Sequence, residues 1–170
     1  MNKTVSPFDE LFEFNKITLA LKKVIERNSW DQEAIMPTGA IEDRAEEQAS
    51  LMIIAHKRQT SGEFSDLVDS IEPEKLSKIE LRQFKLMKKD LTRALKVPTD
   101  LVGALAKETT LAHSVWVNAR KNNNFQQFLP HFSKVLELRK EEADAIRQGS
   151  SLSRHDALLQ DHEPDVKSDY

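Results

Sequence analysis

The sequence predicts an all-α protein: a single domain of about six or seven helices in an antiparallel, bundle-like arrangement. Three observations lead there. Gly is scarce, with four residues among 170, and the chain is rich in Leu, Ala, Glu and Lys, which favour helix over strand. Apolar residues recur at helical spacing through most of the length, and no run alternates with period two for long enough to form a strand. No internal repeat of solenoid period is present. A chain of this length fits one domain with a real core. Residues 1–149 read as the helical domain. Residues 150–170 read as a linker, a short helix and a polar tail of the same domain.

Each element has its own signal. Ser6-Pro7 starts the first helix, with a capping hydroxyl, Pro at the first helical position, and Asp9 and Glu10 at the positive end of the dipole. It is expected to end near Arg27 and to bury two sides, because Phe8, Leu11, Phe12, Phe14, Ile17, Leu19, Leu21, Val24 and Ile25 cover more than one stripe. A second helix spans about Ala40 to Thr60, with Ile41, Ala45, Ala49, Met52 and His56 on one face and Ser61-Gly62 as its stop. A short helix follows over Phe64 to Ser70. Glu72-Pro73 then begins a long helix that ends before Pro98. Thr99 caps a helix to about Lys121, with Leu101, Leu105, Thr109, Ala112, Trp116 and Ala119 in register, and Asn122 to Asn124 break it. Phe125 and Phe128 fall in a short turn. Pro130 then opens a helix to about Arg147, with Phe132, Val135, Leu136, Arg139, Ala143 and Ile146 along its inner edge. "QGSSLS" is a linker, and a final short helix covers about Arg154 to Asp161.

Composition excludes several functions. The net charge of −3 gives no global basic field for nucleic acid. The absence of Cys removes disulfides, thiolate metal sites and a Cys nucleophile. No segment has the apolar length of a membrane span, and the N-terminus turns acidic before a signal-peptide core appears, so a soluble cytoplasmic protein is expected, with no membrane and no nucleic-acid partner.

Chemistry-bearing patterns are few. No two His stand four apart with a Glu beside the first, and no His has Glu three residues before it, so neither zinc-hydrolase nor di-iron spacing is present. The nearest approach to a metal pair is His155 with His162, two helical turns apart beside Asp156, Asp161 and Glu163. His113, one turn before Trp116, reads as a packed or hydrogen-bonded side chain. No Gly-rich loop could cradle a phosphate. Lys75, Lys78, Arg82, Lys85, Lys89, Arg93 and Lys96 fall within about 80° of arc on the long fourth helix, at ~100° per residue. Leu76, Ile79, Phe84, Met87, Leu91 and Leu95 occupy the opposite side. The basic ridge is either a docking strip for an acidic partner or a solvated face.

The connector "SWDQEAIMPTGA", Ser29 to Ala40, is the most distinctive stretch. It reads as a helix–helix corner in which Trp30 buries its ring, Met36 fills a gap, Pro37 ends an extended piece and Thr38-Gly39 lets the second helix start. Asp31 or Glu33 is placed to hold Arg44 across the corner.

Several segments together resemble the thermostable carboxypeptidase Taq family of zinc metallocarboxypeptidases. "SWDQEAIMPTGAIEDRAEEQASL" is similar to its Trp-Asp…Met-Pro…Gly…Arg stretch, carried here by Trp30, Asp31, Met36, Pro37, Gly39 and Arg44. Val97 to Ala143 is similar to its Val-Pro…Trp-x-x-Ala-Arg…Phe-x-x-Phe-x-Pro region, including Trp116 and Arg120. "HDALLQDHEP", His155 to Pro164, resembles its Tyr-Asp-Ala-Leu-Leu…Glu-Pro segment. Departures are Asn123-Asn124 where Asn-Asp is frequent, His155 where Tyr is usual, and Asp165 where Gly is usual. The resemblance is to the N-terminal part of a longer, mostly helical enzyme. The His-Glu-x-x-His motif and the acidic third ligand of that family have no counterpart in these residues. It therefore implies no catalytic or metal residue and no zinc in this chain, and no peptide hydrolysis by the chain alone. Besides catalysis at an unrecognised site, such as a metal on His155 and His162, two readings stay open. One is a structural wall or cover of a substrate groove, completed by a separate catalytic polypeptide. The other is a non-catalytic helical binding module, in which the apolar excess of the first helix (Phe12, Phe14, Ile17, Leu19, Leu21) is covered by self-association, most simply as a homodimer.

Overall fold

The structure, a computed structural model, describes residues 6–163, 166 and 168. Among them are seven α-helices and no strand: α1 (Pro7–Ala34), α2 (Ile41–Gln59), α3 (Gly62–Asp69), α4 (Lys78–Ala94), α5 (Thr99–Lys121), α6 (Phe125–Arg147) and α7 (Arg154–Leu159). Short 3-10 turns occupy Thr38–Ala40 and Pro73–Lys75. The all-α single domain is therefore as the sequence predicts. Pro164 and Asp165 of the Glu-Pro segment lie outside the described residues, as do the last two residues of the polar tail.

α1 begins at the expected cap. The Ser6 hydroxyl accepts from the Asp9 amide at 3.1 Å, and the Asp9 carboxylate reaches back to Ser6. The helix does not stop near Arg27. The Ser29 hydroxyl donates to the Ile25 carbonyl one turn back, at 3.1 Å, and stays within the helix instead of ending it. α1 runs to Ala34, where the Ile35 and Met36 amides both close on the Asp31 carbonyl ahead of Pro37. Nor does α1 bury two sides. Phe8, Leu11, Phe14 and Thr18 point into the protein, whereas Phe12, Ile17 and Leu19 remain on an open outer face.

α3 is capped by Ser61, whose hydroxyl accepts from the Phe64 amide. Pro73 starts only a 3-10 turn, because Ser77 and Glu80 form a capping box that sets the start of α4 five residues later. Pro98, not Thr99, is the N-cap of α5, and it offers no side-chain cap. α5 ends in a Schellman turn: the Asn124 amide reaches the Ala119 carbonyl and the Asn123 amide that of Arg120. Asn123 has φ 50°, in the left-handed region that Asn tolerates better than most residues. Three residues therefore turn the chain back, and α5 and α6 pack as a helical hairpin. α6 starts at Phe125, before Pro130, which sits inside the helix near its beginning. Its buried edge is Leu138, Ala143 and Ile146, and Phe132 and Leu136 are exposed.

One core joins the first half of α1 to α3 and α4: Phe8, Leu11, Phe14, Phe64, Val68, Ile71, Phe84, Met87 and Leu91. Phe14 and Phe64 stack with ring centroids 5.3 Å apart, and the Arg58 guanidinium carbon lies 3.8 Å over the Phe14 ring. A second, smaller core gathers Val97, Ile146 and Ala157 and ties α7 to the junction of α4 and α5. Ile79 and Leu95, expected on the packed side of α4, are 73% and 57% exposed. α2 and α5 make the most extensive helix contact. Gly103 on α5 makes it possible, because a Cβ there would stand 2.7 Å from Ile53 Cδ1 on α2.

The C-terminal helix is held by charge. The Asp144 carboxylate on α6 takes two hydrogen bonds from Arg154, at 2.9 and 2.7 Å, and one from Arg147. The Arg154 guanidinium is the main reason that the Asp144 carboxyl lies at a pKa of about 2. Asp156, at the start of α7, accepts from the Ser168 hydroxyl and amide and from the Ser153 hydroxyl. These donors, Ser168 first, hold its carboxyl well below the usual range.

Candidate functional site

A groove crosses the domain on a floor made by α2 and α5. α1 walls one side, and α6 the other. It divides into two adjoining chambers of about 270 and 280 Å³ that share Met52, Val102 and Glu142. The first lies toward Ile25, Gln48, Leu105 and Arg139, and the second toward His56, Asp90, Arg93 and Asp161. Helical spacing explains the floor: Gln48, Met52 and His56 stand four apart on α2, and Val102, Leu105 and Thr109 share a face of α5.

Polar groups in the groove are fixed by neighbouring helices. The His56 Nε2 lies 3.1 Å from the Ala94 carbonyl, which can only accept, so that nitrogen carries the proton. His56 Nδ1 then accepts from the Thr99 hydroxyl at 3.0 Å, the role that Thr99 takes in place of capping α5. Gln48 is buried. Its Nε2 donates to the Ile25 carbonyl at 3.3 Å and to the Ser29 hydroxyl at 3.0 Å. Its Oε1 has no donor among the described residues. Arg139 and Glu142 pair with each other at 2.7 Å on the α6 wall.

The connector is a corner, as expected, but built differently. Trp30 is not buried; on the last turns of α1 it is 62% exposed. The helix continues through this position, and its inward face there belongs to Asn28, Asp31 and Gln32. Met36 is half-buried. Pro37 enters the 3-10 turn Thr38–Ala40, in which a Cβ added at Gly39 would meet nothing within 4 Å. Asp31 holds Arg44, at 2.5 Å, and Arg44 also donates to the Asn28 carbonyl. Glu33 instead faces His113 at 3.2 Å. Arg44→Gln is expected to lower stability by about 1.5–3 kcal/mol, because it breaks charge-assisted bonds made by a largely buried guanidinium. Asp31→Asn, at a half-exposed carboxylate, is expected to cost under ~1 kcal/mol. Urea titration of both variants checks the order, and equal, negligible losses exclude the corner role.

Trp116, placed by its spacing on the inner line of α5, is 45% exposed. The turn at Asn122 to Asn124 projects Phe125 and Phe128 beside it. These three rings, with Arg120, line a shallow apolar pocket of about 330 Å³.

The basic ridge divides in three. Lys75, in the 3-10 turn, pairs with Glu72. Arg93 binds Asp161, and Lys96 donates to the Ile146 carbonyl at 2.9 Å, so this end fastens α6 and the segment after α7. Lys78, Arg82, Lys85 and Lys89 are exposed and form no ion pair with a described residue.

The His residues do not assemble. His131 is paired with Glu108 at 2.7 Å, and His155 is exposed, 3.9 Å from Asp156. Among the described residues no group of three His, Asp or Glu side chains is arranged to hold a metal ion, His155 and His162 included.

This fold and these segments have counterparts. The family model of the carboxypeptidase Taq (M32) metallopeptidases matches residues 10–170, and the chain belongs to that family. Thermostable carboxypeptidase 1 of Thermus thermophilus is 27% identical over 175 residues, covering 95% of this chain and 34% of that protein. The crystal structure of BsuCP superposes with a TM-score of 0.88 at 24% identity, covering 95% of this chain and 33% of that one. Metallocarboxypeptidase 1 of Trypanosoma cruzi superposes with a TM-score of 0.75 at 23% identity, covering 97% and 33%. The chain spans about a third of the length of these relatives. The metal implied by the family does not fit the residues described. His56 has both ring nitrogens committed, to Ala94 and Thr99, and no described acid–His group has three members.

Proposed function

We propose that this chain is the helical wall and cover of a substrate groove in a zinc metallocarboxypeptidase that removes C-terminal residues from peptides. On this reading the 170 residues supply frame and surface, and the zinc, its ligands and the general base come from polypeptide outside them. The observation that carries the reading is the match over almost the whole chain to one third of metallocarboxypeptidases. The chemistry agrees with it. Zinc-dependent peptide hydrolysis requires three protein ligands, an open coordination position and a base, and among the described residues no group of three His, Asp or Glu side chains is arranged to supply the ligands.

Two assays test it. The 170-residue chain incubated with zinc is expected to release no C-terminal residue from a peptide. A chimera that carries these residues in place of the matched third of the Thermus thermophilus enzyme is expected to bind zinc and retain peptide cleavage. Hydrolysis by the chain alone, or a folded, zinc-loaded chimera without activity, overturns the proposal.

A further inference from the structure

We infer that the solvent face of α4 docks an acidic amphipathic helix of a separate partner protein. The face is built from six exposed side chains: Lys78, Arg82, Lys85 and Lys89, with Ile79 and Leu86 beside them. α4 packs into the domain by its opposite side, through Phe84, Met87 and Leu91. The four cations pair with no carboxylate among the described residues, whereas Arg44, Lys107, Arg139, Arg147 and Arg154 each meet one. α4 carries two acids of its own, and neither serves the ridge. Glu80 caps the helix start through the Ser77 amide, and Asp90 lines the second chamber of the groove. Lys78 with Arg82, and Lys85 with Lys89, stand four apart and repel each other. The fold leaves this repulsion uncompensated, and carboxylates from outside would relieve it.

The two aliphatic side chains decide which kind of polyanion fits. Ile79 is 73% and Leu86 56% exposed, and at ~100° per residue they lie within about 20° of one another around the helix. Each pair on this face repeats after one heptad: Ile79 with Leu86, Lys78 with Lys85, and Arg82 with Lys89. An apolar line flanked by charge at that spacing is how one helix reads another lying along it. The ridge from Lys78 to Lys89 is about 16 Å long at ~1.5 Å per residue, within the reach of a partner helix of two heptads. Nucleic acid or polyphosphate would use the cations and leave both aliphatic groups in water. A bilayer binds wider apolar faces with aromatic anchors, and α4 exposes no aromatic side chain. None of the six side chains lines either chamber, so a helix docked here leaves the groove open. The inference therefore does not rest on the carboxypeptidase reading.

The probe is an acetylated, amidated peptide of two Leu-Glu-Glu-Leu-Ala-Glu-Glu heptads. Its NMR titration into the 15N-labelled 170-residue chain is expected to give saturable shifts at Ile79, Arg82, Leu86 and Lys89. The analogue with Gln for every Glu is expected to bind at least about tenfold more weakly. Lys85→Glu combined with Lys89→Glu is expected to abolish the shifts. Leu86→Ser leaves every charge in place and is expected to weaken binding by about threefold to tenfold. All three positions are exposed, and circular dichroism checks that each variant keeps its helices. Lys121→Glu combined with Lys140→Glu makes the same charge change at exposed sites on α5 and α6, and is expected to leave affinity unchanged. The absence of saturable shifts in the parent chain overturns the docking face. An equal loss in the α5–α6 variant reduces the binding to general charge attraction and overturns the location. Unchanged affinity in Leu86→Ser overturns the amphipathic helix in favour of a simple polyanion. Tighter binding to phosphatidylserine vesicles than to the peptide, lost on reversing Lys85 and Lys89, overturns the protein partner in favour of a membrane. The active chimera with the Thermus thermophilus enzyme is expected to bind the peptide as the 170-residue chain does. Loss of binding there would mean that the enzyme's own polypeptide covers the face, and overturns the separate partner.

Discussion

Phe64→Ala is expected to destabilise the domain by about 3–5 kcal/mol. Phe64 is 2% exposed and lies where α3 meets α1. Its ring stacks on Phe14, whose other contacts include the Arg58 guanidinium and, through its carbonyl, an Arg58 N–H at 3.2 Å. Removing the ring leaves a cavity that three helices cannot close together, and it loosens the shelf on which Arg58 rests. Native domains are stable by only about 5–15 kcal/mol, so a loss of this size removes a large share of the total. The denaturation midpoint should fall with the m-value unchanged. A loss below ~1 kcal/mol would show that α3 is peripheral to the core.

Gly103→Leu is the second large effect, and it acts at the contact of α5 with α2. A Cβ at this position meets Ile53 Cδ1 at 2.7 Å and Cγ1 at 3.0 Å. Gly103→Ala alone should be mild. The Ile53 tip can rotate away, and Ala gains about 0.8–1.0 kcal/mol of helix propensity over Gly. A Leu side chain has no such escape. It must push α2 from α5, at a cost of about 1–3 kcal/mol beyond that gain. Ile53→Ala in the same chain reopens the space. The double variant is thus expected to be more stable than the sum of the two single losses, with a coupling of about 0.5–3 kcal/mol. Strict additivity in the thermodynamic cycle would rule out the close approach as the reason for Gly103.

Helix starts were legible where a side chain performs the cap. Ser6, read as a cap, accepts from the Asp9 amide; Ser61, read only as the stop of the second helix, and Ser153, in the stretch read as a linker, do the same for α3 and α7. The start of α4 carried the same signature in Ser77 and Glu80, overshadowed by the nearer Pro73. Helix ends were harder. Ser29 suggests a stop in sequence, yet its hydroxyl can bond back to Ile25 as easily as forward, and only the path of the chain decides. Thr99 is another such case: its hydroxyl serves a His 43 positions earlier, which no local pattern encodes. The inner line of α5 failed at Trp116 for a different reason. Helical spacing locates a stripe, but it does not say how far the neighbouring helix extends along it.

The family frame was legible through the connector, where Asp31 and Arg44 meet as their types suggest. The groove was not. Gln48 looks in sequence like one more solvated polar residue on α2, amid Glu46, Glu47 and Ser50. Its burial follows from the extension of α1 past Arg27, which brings Ser29 over it. The basic ridge was legible as an arc, and the use of Arg93 and Lys96 to fasten α6 and the end of the chain depends on tertiary placement.

The exposure of Trp30 and Trp116 has a spectroscopic consequence. They are the only two tryptophans in the sequence, and both face solvent when the domain is folded. Intrinsic fluorescence will therefore emit at long wavelength in the native state and change little in colour on unfolding, so it is a poor reporter of the Phe-rich core. The same property makes the two indoles good reporters of anything that covers them. A blue shift on adding another polypeptide would register contact at the α1–α2 corner or at the α5–α6 turn, and replacing each Trp in turn with Phe assigns the contact to one end of the molecule.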